Sequence, residues 1–167
     1  MDHTLDPNVA GTLNTYGLTF EVFPCDPELA DTAAFCEHYS FSQEQSANTI
    51  IVASRKTDPV RYCACVVLAD SRLDVNKKVC ELMQVKKASF ADTKTTVELT
   101  GMLIGGVTAI GLTDLPIYVD ARVMQQGKIV MGGGNRSTKV LLHPQELTKL
   151  PTVQVVENLA QPKSSLT

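Results

Sequence analysis

Apolar residues recur at two spacings along the chain and predict an alternation of short helices and strands. After Asp6-Pro7, a pair typical of a helix start, they recur at helical spacing as far as Gly17, which is a good helix end. A strand is predicted over residues 19–23. A second pair, Asp26-Pro27, predicts a helix that runs to about residue 38.

Longer apolar runs in the middle of the chain predict a buried β-hairpin. Residues 50–53 and 61–69 are almost wholly apolar, and Asp58-Pro59 marks the turn between them. The remaining predicted elements are a helix over residues 70–85 capped by Asp74, a short helix from Asp92 to about Leu99, a helix opening at Pro144, and strands over residues 88–90, 116–120, 128–131 and 137–142.

This alternation predicts a single α/β domain over residues 1–150. Residues 151–167 show little periodicity and are rich in small and polar residues toward their end. They predict a poorly ordered C-terminal tail, or an arm that lies on another subunit of a homodimer.

Composition narrows the classes of function. The chain is 44% apolar and carries a net charge of −3, so no strong basic field attracts nucleic acid from a distance. This argues against a general DNA- or RNA-binding protein, but not against an enzyme that grips only the end of a tRNA. No apolar run is long enough to span a membrane, and no membrane partner is expected.

The five cysteines and the absence of an evident signal peptide predict a cytoplasmic protein with reduced thiols. Cys63 and Cys65 fall on one face of a predicted strand, and we interpret them as core residues. A metal site would need a second pair of ligands at suitable spacing, and the sequence offers none. We therefore expect no metal and no cofactor.

The most distinctive stretch is residues 100–111, which has four glycines in twelve positions among apolar neighbours. Such a stretch is typical of a backbone that comes close to another group, and its N–H groups can face an anion or a developing oxyanion. The usual motifs of nucleophilic or metal-dependent hydrolases are missing, which argues against a covalent mechanism.

Three segments together resemble the YbaK/prolyl-tRNA synthetase-associated editing domain family. The glycine-rich stretch is similar to the family pattern T-G-x-x-x-G-G-V/I-x-P-x-G, with Ala109 in place of the proline. Residues 116–120 resemble its P-x-x-x-D, and residues 133–139 its G-G-x-R-G/S-x-K. The resemblance covers roughly residues 31–150.

The resemblance implies a mixed β-sheet curled toward a barrel, with helices packed outside it. It also implies hydrolysis of the ester that joins a wrong amino acid to a tRNA, with the aminoacyl-tRNA acceptor end as partner. A backbone loop of Gly105, Gly106 and Val107 would bind the aminoacyl carbonyl, and a water would attack without a protein nucleophile. Small or thiol side chains are the expected amino acids.

Further pocket residues follow from the same alignment. Asn48 stands where the family has an active-site lysine, aligned on the strand that begins at Thr49. Asp120 either serves the pocket or caps a turn, and Arg136 and Lys139 either contact tRNA phosphates or are solvated strand residues. The candidate substrate-binding residues are Thr49, Gly101, Thr108, Ala109, Asp120, Gly133, Arg136 and Lys139.

Two departures from the family pattern leave alternatives open. Asparagine at position 48 supplies no charge, and alanine at position 109 removes a rigid φ angle, so the loop is expected to be softer. One alternative is a non-catalytic module that binds an aminoacyl-tRNA end, an amino acid or a protein. Another is an enzyme for a different small ester.

Overall fold

The computed structural model describes residues 4–163, which form three β-sheets with helices packed around them. Its α-helices are α1 (Pro7–Thr15), α2 (Thr32–Tyr39), α3 (Cys80–Met83), α4 (Thr93–Thr100) and α5 (Ala121–Met124). Its strands are β1 (Glu21–Pro24), β2 (Ala47–Ser54), β3 (Tyr62–Leu68), β4 (Ser71–Leu73), β5 (Ala88–Phe90), β6 (Ile117–Asp120), β7 (Ile129–Gly132), β8 (Thr138–Leu142), β9 (Val153–Val156) and β10 (Ala160–Pro162). Shorter helical turns lie at Pro27–Leu29, Gln43–Gln45, Val75–Val79 and Pro144–Lys149.

The largest sheet has the order β5-β2-β3-β6-β9 and mixes antiparallel with parallel pairs. A three-stranded sheet, β1-β8-β7, adjoins it through a parallel bridge between Ser46 and Val130. A two-stranded sheet pairs β10 with β4. The mixed α/β class is thus confirmed, although within residues 4–163 the sheets remain separate and none closes into a barrel.

Strand β3 is buried on both faces, which explains its unbroken apolar run. Ala64 and Val66 belong to one hydrophobic cluster with α1, β6 and β8, whereas Cys63 and Cys65 belong to a second with Val79. Side chains of a strand alternate between the faces of its sheet, so an apolar run is needed where both faces are covered. The interpretation of the two cysteines as core residues is confirmed, since both are fully buried.

The predicted helix over residues 70–85 is wrong in its first part. Ser71–Leu73 is a strand, and Leu73 pairs with Ala160 of β10. Helical structure begins only after Asp74, whose carboxylate accepts a hydrogen bond from the Lys77 amide as the predicted cap. The strand partner comes from a distant part of the chain, so local spacing could not reveal it.

The expectation of a poorly ordered C-terminal tail is also wrong for the residues that the structure describes. Strand β9 pairs in parallel with β6 in the largest sheet, and β10 pairs with β4. Leu159 between them is fully buried in the second cluster. The last part of the predicted tail, residues 164–167, lies outside the described residues.

Three smaller findings concern the N-terminal half and the helices. The helix expected from Asp26-Pro27 is a short 3-10 turn followed by α2, which begins only after Asp31. Strand β1 starts later than predicted and includes Pro24, which lies opposite Thr138. None of the helices within residues 4–163 has the length and apolar character needed to cross a bilayer.

Candidate functional site

A cavity of about 390 Å³ opens where two glycine-rich loops meet the start of β2. The first loop is residues 100–111, and the second is residues 132–139. Strand β5 pairs with β2 only at Val52, Ala53 and Ser54, so the first half of β2 has no strand neighbour on that side. The cavity occupies this gap. Its walls are Asp31, Thr32, Ser46, Ala47, Asn48, Thr49, Ile50, Ile51, Phe90, Ala91, Thr96, Ile104, Gly105, Val107, Val130, Met131, Gly132 and Lys139.

Three carbonyl groups of the first loop are held by groups from the second. The Ile104 carbonyl accepts a hydrogen bond from Arg136 Nη1 at 2.8 Å, and the Gly105 carbonyl accepts one from Lys139 Nζ at 2.9 Å. The Gly106 carbonyl accepts one from the backbone N–H of Gly134 at 2.7 Å. Three consecutive peptide units are thereby fixed in orientation.

This anchoring leaves the amides of three lining residues unused. The Gly106 N–H donates to the Leu103 carbonyl at 2.8 Å. The N–H groups of Ile104, Gly105 and Val107, three residues that line the cavity, donate to no group within residues 4–163. A trans peptide directs its N–H opposite to its C=O, so the Val107 N–H points away from Gly134. The Gly105 and Val107 amides follow carbonyls that the second loop holds, and these two are the candidate donors for an anionic oxygen.

The glycines are required because the two loops touch. A Cβ on Gly106 would lie 2.1 Å from the Asn135 carbonyl oxygen, and one on Gly132 would lie 2.6 Å from the Gly106 oxygen. Gly105 has a φ of +91°, and its Cβ would meet the Arg136 guanidinium. Any larger residue here would force the backbones apart.

Lys139 is a buried cation in the cavity wall. Its Nζ donates to the carbonyl oxygens of Ala30 and Gly105, and it lies 5.3 Å from the centre of the Phe35 ring. Removal from water lowers the pKa of Lys139, while the neighbouring Cys25 opposes that shift.

Arg136 links the start of α2 to the first loop through hydrogen bonds. Its Nε donates to the Pro27 carbonyl, and its Nη1 reaches Asp31 Oδ1 at 3.2 Å as well as the Ile104 carbonyl. These contacts use the guanidinium to hold backbone and carboxylate within the protein.

On the β2 wall, Asn48 and Thr49 are tied to neighbouring elements. Asn48 Oδ1 accepts a hydrogen bond from Thr32 Oγ1 at 2.8 Å. Thr49 Oγ1 accepts one from the Ala109 N–H at 3.0 Å. A proline at position 109 has no N–H, so alanine permits an anchor to β2 that the family residue would not. The loop, expected to be softer here, is instead hydrogen-bonded to the sheet.

The structure does not bring every predicted site residue to the cavity. Gly101 ends α4 with φ +69° and donates to the Val97 carbonyl. Thr108 is fully buried, with its hydroxyl accepting from the Ile110 N–H at 3.4 Å. The predicted residues that line the cavity are Asn48, Thr49, Gly105, Val107 and Lys139. The predicted residues that lie outside the lining also include Gly106, Ala109, Gly133 and Arg136.

Asp120 lies beside a different cavity, of about 270 Å³, formed with α5 and the β9–β10 turn. It is 1% exposed, and its Oδ2 has no hydrogen-bond partner within the described part of the chain. Burial raises the pKa of Asp120, while Arg122 and the backbone amides of Leu159 and Ala160 oppose the shift. Its contacts join β6 to the C-terminal strands.

Sequence reasoning misses several lining residues. Asp31 and Thr32 begin α2, Thr96 is on α4, and Phe90 ends β5. Gly132 belongs to a predicted glycine-rich turn that is either a hairpin turn or a second wall of the pocket, but it is not among the predicted substrate-binding residues. The three consecutive glycines that it begins are the available signal, because one turn rarely needs so many.

Comparison with known proteins places this geometry in a family. Residues 26–150 match the model of the aminoacyl-tRNA editing domain. The hypothetical protein APE2540 has a similar structure, with a TM-score of 0.81 and 24% sequence identity over 92% of this chain and 99% of that one. A proposed trans-editing enzyme for prolyl tRNA synthetase aligns with a TM-score of 0.77 and 23% identity, over 95% of this chain and 99% of that one.

The same fold also occurs inside a larger protein. A proposed signal transduction protein from Marinobacter aquaeolei VT8 aligns with a TM-score of 0.69 and 11% identity. The match covers 98% of this chain but only 32% of that one. At these identities the solved structures establish the fold alone.

Proposed function

Because the chain belongs to the aminoacyl-tRNA editing domain family, we propose that it hydrolyses the ester bond of a mischarged aminoacyl-tRNA, acting in trans. The observation that carries this proposal is the pair of unused amides, Gly105 N–H and Val107 N–H, on loop residues that line the cavity. The fold shared with a proposed prolyl-tRNA trans-editing enzyme supports the prolyl-tRNA type of editing.

In the proposed reaction a water attacks the aminoacyl carbonyl carbon. A C–O bond forms, and the carbonyl oxygen becomes an oxyanion that accepts hydrogen bonds from the Gly105 and Val107 amides. The ester C–O bond then breaks, and the proton lost by the water passes to the leaving ribose oxygen. Donors fixed before the reaction stabilise the oxyanion without reorganising, an effect of about 3–4 kcal/mol for one such donor.

Lys139 supplies the positive charge that Asn48 does not. Its ammonium lines the same cavity and holds the Gly105 carbonyl, so it orients the peptide that follows Gly105. The charge also favours an anionic transition state nearby. This arrangement supports an enzyme over a binding module, because the cavity keeps a cation despite the asparagine at position 48.

The cavity wall favours a small amino acid. Ala47, Ile51 and Met131 contribute apolar surface, and Thr49 and Thr96 add two hydroxyl groups. An apolar pocket of limited size discriminates by volume, with a factor of about 10–200 for each methylene group. We assign contact with the terminal ribose or the amino group to Asn48 and Thr32, because both line the cavity and they are hydrogen-bonded to each other.

The proposal is tested by incubating the purified protein with tRNAs mischarged with alanine, cysteine, serine or threonine. We expect one ester to disappear well above its spontaneous rate, and Lys139→Met to slow that reaction at least 10-fold. Asn48→Lys should bring little gain, because the cavity that it lines already contains the ammonium of Lys139. Tight tRNA binding without hydrolysis would instead identify a binding module.

A further inference from the structure

The basic residues of this acidic chain are concentrated in one segment. Residues 55–94 contain nine of the 15 lysines and arginines but only five of the 18 acidic residues, a net charge of +4. The rest of the sequence has six basic and thirteen acidic residues, a net charge of −7. A local basic region on a protein of net negative charge is typical of a surface that binds one anionic partner.

This segment forms a groove of about 670 Å³ next to the candidate site. Its walls come from β4, the helical turn Val75–Val79 and β5. Arg72 is exposed within the groove, and Arg55, outside the lining, donates from Nε to the Oγ of the lining residue Ser89. The full lining is Arg72, Leu73, Asp74, Val75, Asn76, Ala88, Ser89, Phe90 and Gln161.

Four lysines lie next to the groove's lining residues in sequence. Lys77 and Lys78 belong to the helical turn, and Lys86 and Lys87 lead directly into β5. Three of these four are exposed, and Lys78 is half-buried. The one carboxylate in the lining, Asp74, accepts a hydrogen bond from the Lys77 amide as a helix cap. Arg72 is the cation within the lining, so the excess positive charge of the segment lies on residues next to the lining in sequence.

Phe90 connects the groove to the candidate site, because it lines both cavities. It is 56% exposed, the highest exposure among the large hydrophobic residues of the described chain. It lies opposite Val52, at the end of β5 where the pairing with β2 stops. An exposed aromatic ring beside cationic side chains is the usual platform on which unpaired nucleobases stack.

We propose that this groove binds the single-stranded 3′ end of the tRNA. A base stacks on Phe90, Arg55 and Arg72 contact the phosphates, and the esterified terminus enters the neighbouring cavity. The inference rests on the proposed function and adds the surface that receives the RNA. An aromatic platform at the entrance of an ester-binding cavity favours a nucleic acid over an acidic protein.

Fluorescence anisotropy with an uncharged RNA hairpin carrying a single-stranded 3′ extension tests the groove separately from catalysis. We expect Phe90→Ala to weaken binding about 5- to 100-fold. Tyr16→Ala, which removes another partly exposed ring next to α1 and outside the groove, is the matched control and should leave affinity unchanged.

The charge contribution is measured from the salt dependence of the same binding. Arg55→Gln combined with Arg72→Gln should reduce the slope of log K against log salt by about 1.4, as expected for two lost phosphate contacts on a single strand. The control pair, Lys128→Gln with Lys149→Gln, removes the same charge from residues outside the groove lining. It should leave the slope unchanged.

Hydrolysis assays distinguish an error in the proposed RNA-binding groove from an error in the proposed function. If the protein is an editing enzyme, Arg55→Gln combined with Arg72→Gln should raise KM for the aminoacyl-tRNA and leave hydrolysis of the matching aminoacyl-adenosine unchanged, because aminoacyl-adenosine has no phosphate and neither arginine lines the candidate site. If the wild type hydrolyses neither, the proposed function fails, and the hairpin still tests the groove. The inference is overturned if the wild type and the groove variants bind the RNA with equal affinity. It is also overturned if polyglutamate displaces the RNA and Phe90→Ala does not change the affinity for polyglutamate.

Discussion

At the scale of single residues, the site depends on glycines that let the backbones of the two loops come into direct contact. Gly106 packs against the backbone of Asn135 so closely that its α-hydrogen stands where any Cβ would clash. The same contact places the Gly134 N–H on the Gly106 carbonyl and so sets the direction of the Val107 amide. Gly106 therefore determines both how closely the two loops pack and which way the Val107 N–H points.

Gly106→Ala should separate the loops and disturb the amide pair. We expect at least a 10-fold loss of deacylation and a destabilisation of about 1–3 kcal/mol, the usual cost of overpacking. Gly127→Ala is the matched control, because nothing lies within 4 Å of a Cβ at that position. Urea unfolding and a deacylation assay check both, and an active Gly106→Ala protein would refute the close-approach argument.

Lys139 gives the stability a pH dependence of predictable sign. Burial lowers its pKa below 10.5, so the folded protein loses this proton before the unfolded chain does. The cost of burying the charge is full at low pH, where both the folded and the unfolded chain carry the proton. It disappears as pH rises through the lowered pKa toward 10.5, because the folded protein then holds a neutral amine.

The comparison of wild type with Lys139→Met isolates this effect. The wild type should gain stability relative to the variant as pH is raised from 7 toward 10.5, measured by urea unfolding at each pH. A difference that stays constant or falls with rising pH would show that the ammonium is not buried as described.

At the scale of elements, the local patterns predict what forms but not what each element packs against. The Asp6-Pro7 and Asp92 caps, the β2–β3 hairpin and the strand before Asp120 occur as predicted, because their signals lie within a few residues. Local spacing places Leu73 in a helix, because its true partner, β10, is about 90 residues away. Pairing between distant segments leaves little trace in local spacing.

The C-terminal strands are part of the folded core, and Leu159 is the residue that shows it. Leu159→Ala should lower the free energy of unfolding by about 2–5 kcal/mol, because its side chain is fully buried in the same hydrophobic cluster as Val79. Val155→Ala on β9, where the side chain is 42% exposed, should cost well under half as much. Chemical denaturation of both measures this, and equal small effects would support a dispensable tail.

At the scale of the whole molecule, the site exists only where elements from separate sheets and loops meet. The resemblance to the editing family is confirmed by the match over residues 26–150, and the mixed α/β fold by the solved relatives. The motifs indicate both glycine-rich loops as pocket walls. They do not indicate that Lys139 reaches across to Gly105, because strand alternation shows a face and not a partner.

The proposed roles of individual residues follow from which of them line the same cavity. Asn48, Gly105, Val107 and Lys139 share one cavity, and Asp120 lies at another. The central claim is that unused backbone amides of the first loop stabilise the oxyanion.

Replacing one amide tests that claim most directly. Val107→Pro removes an N–H that donates to nothing within residues 4–163, whereas Val107→Ala shortens the same side chain and keeps the N–H. Both are assayed on the mischarged tRNA that the wild type hydrolyses fastest, with thermal unfolding as the check on folding. We expect Val107→Ala to stay within a few fold of wild type and Val107→Pro to lose about 100- to 1,000-fold in kcat. A folded Val107→Pro protein with the activity of Val107→Ala would contradict the account.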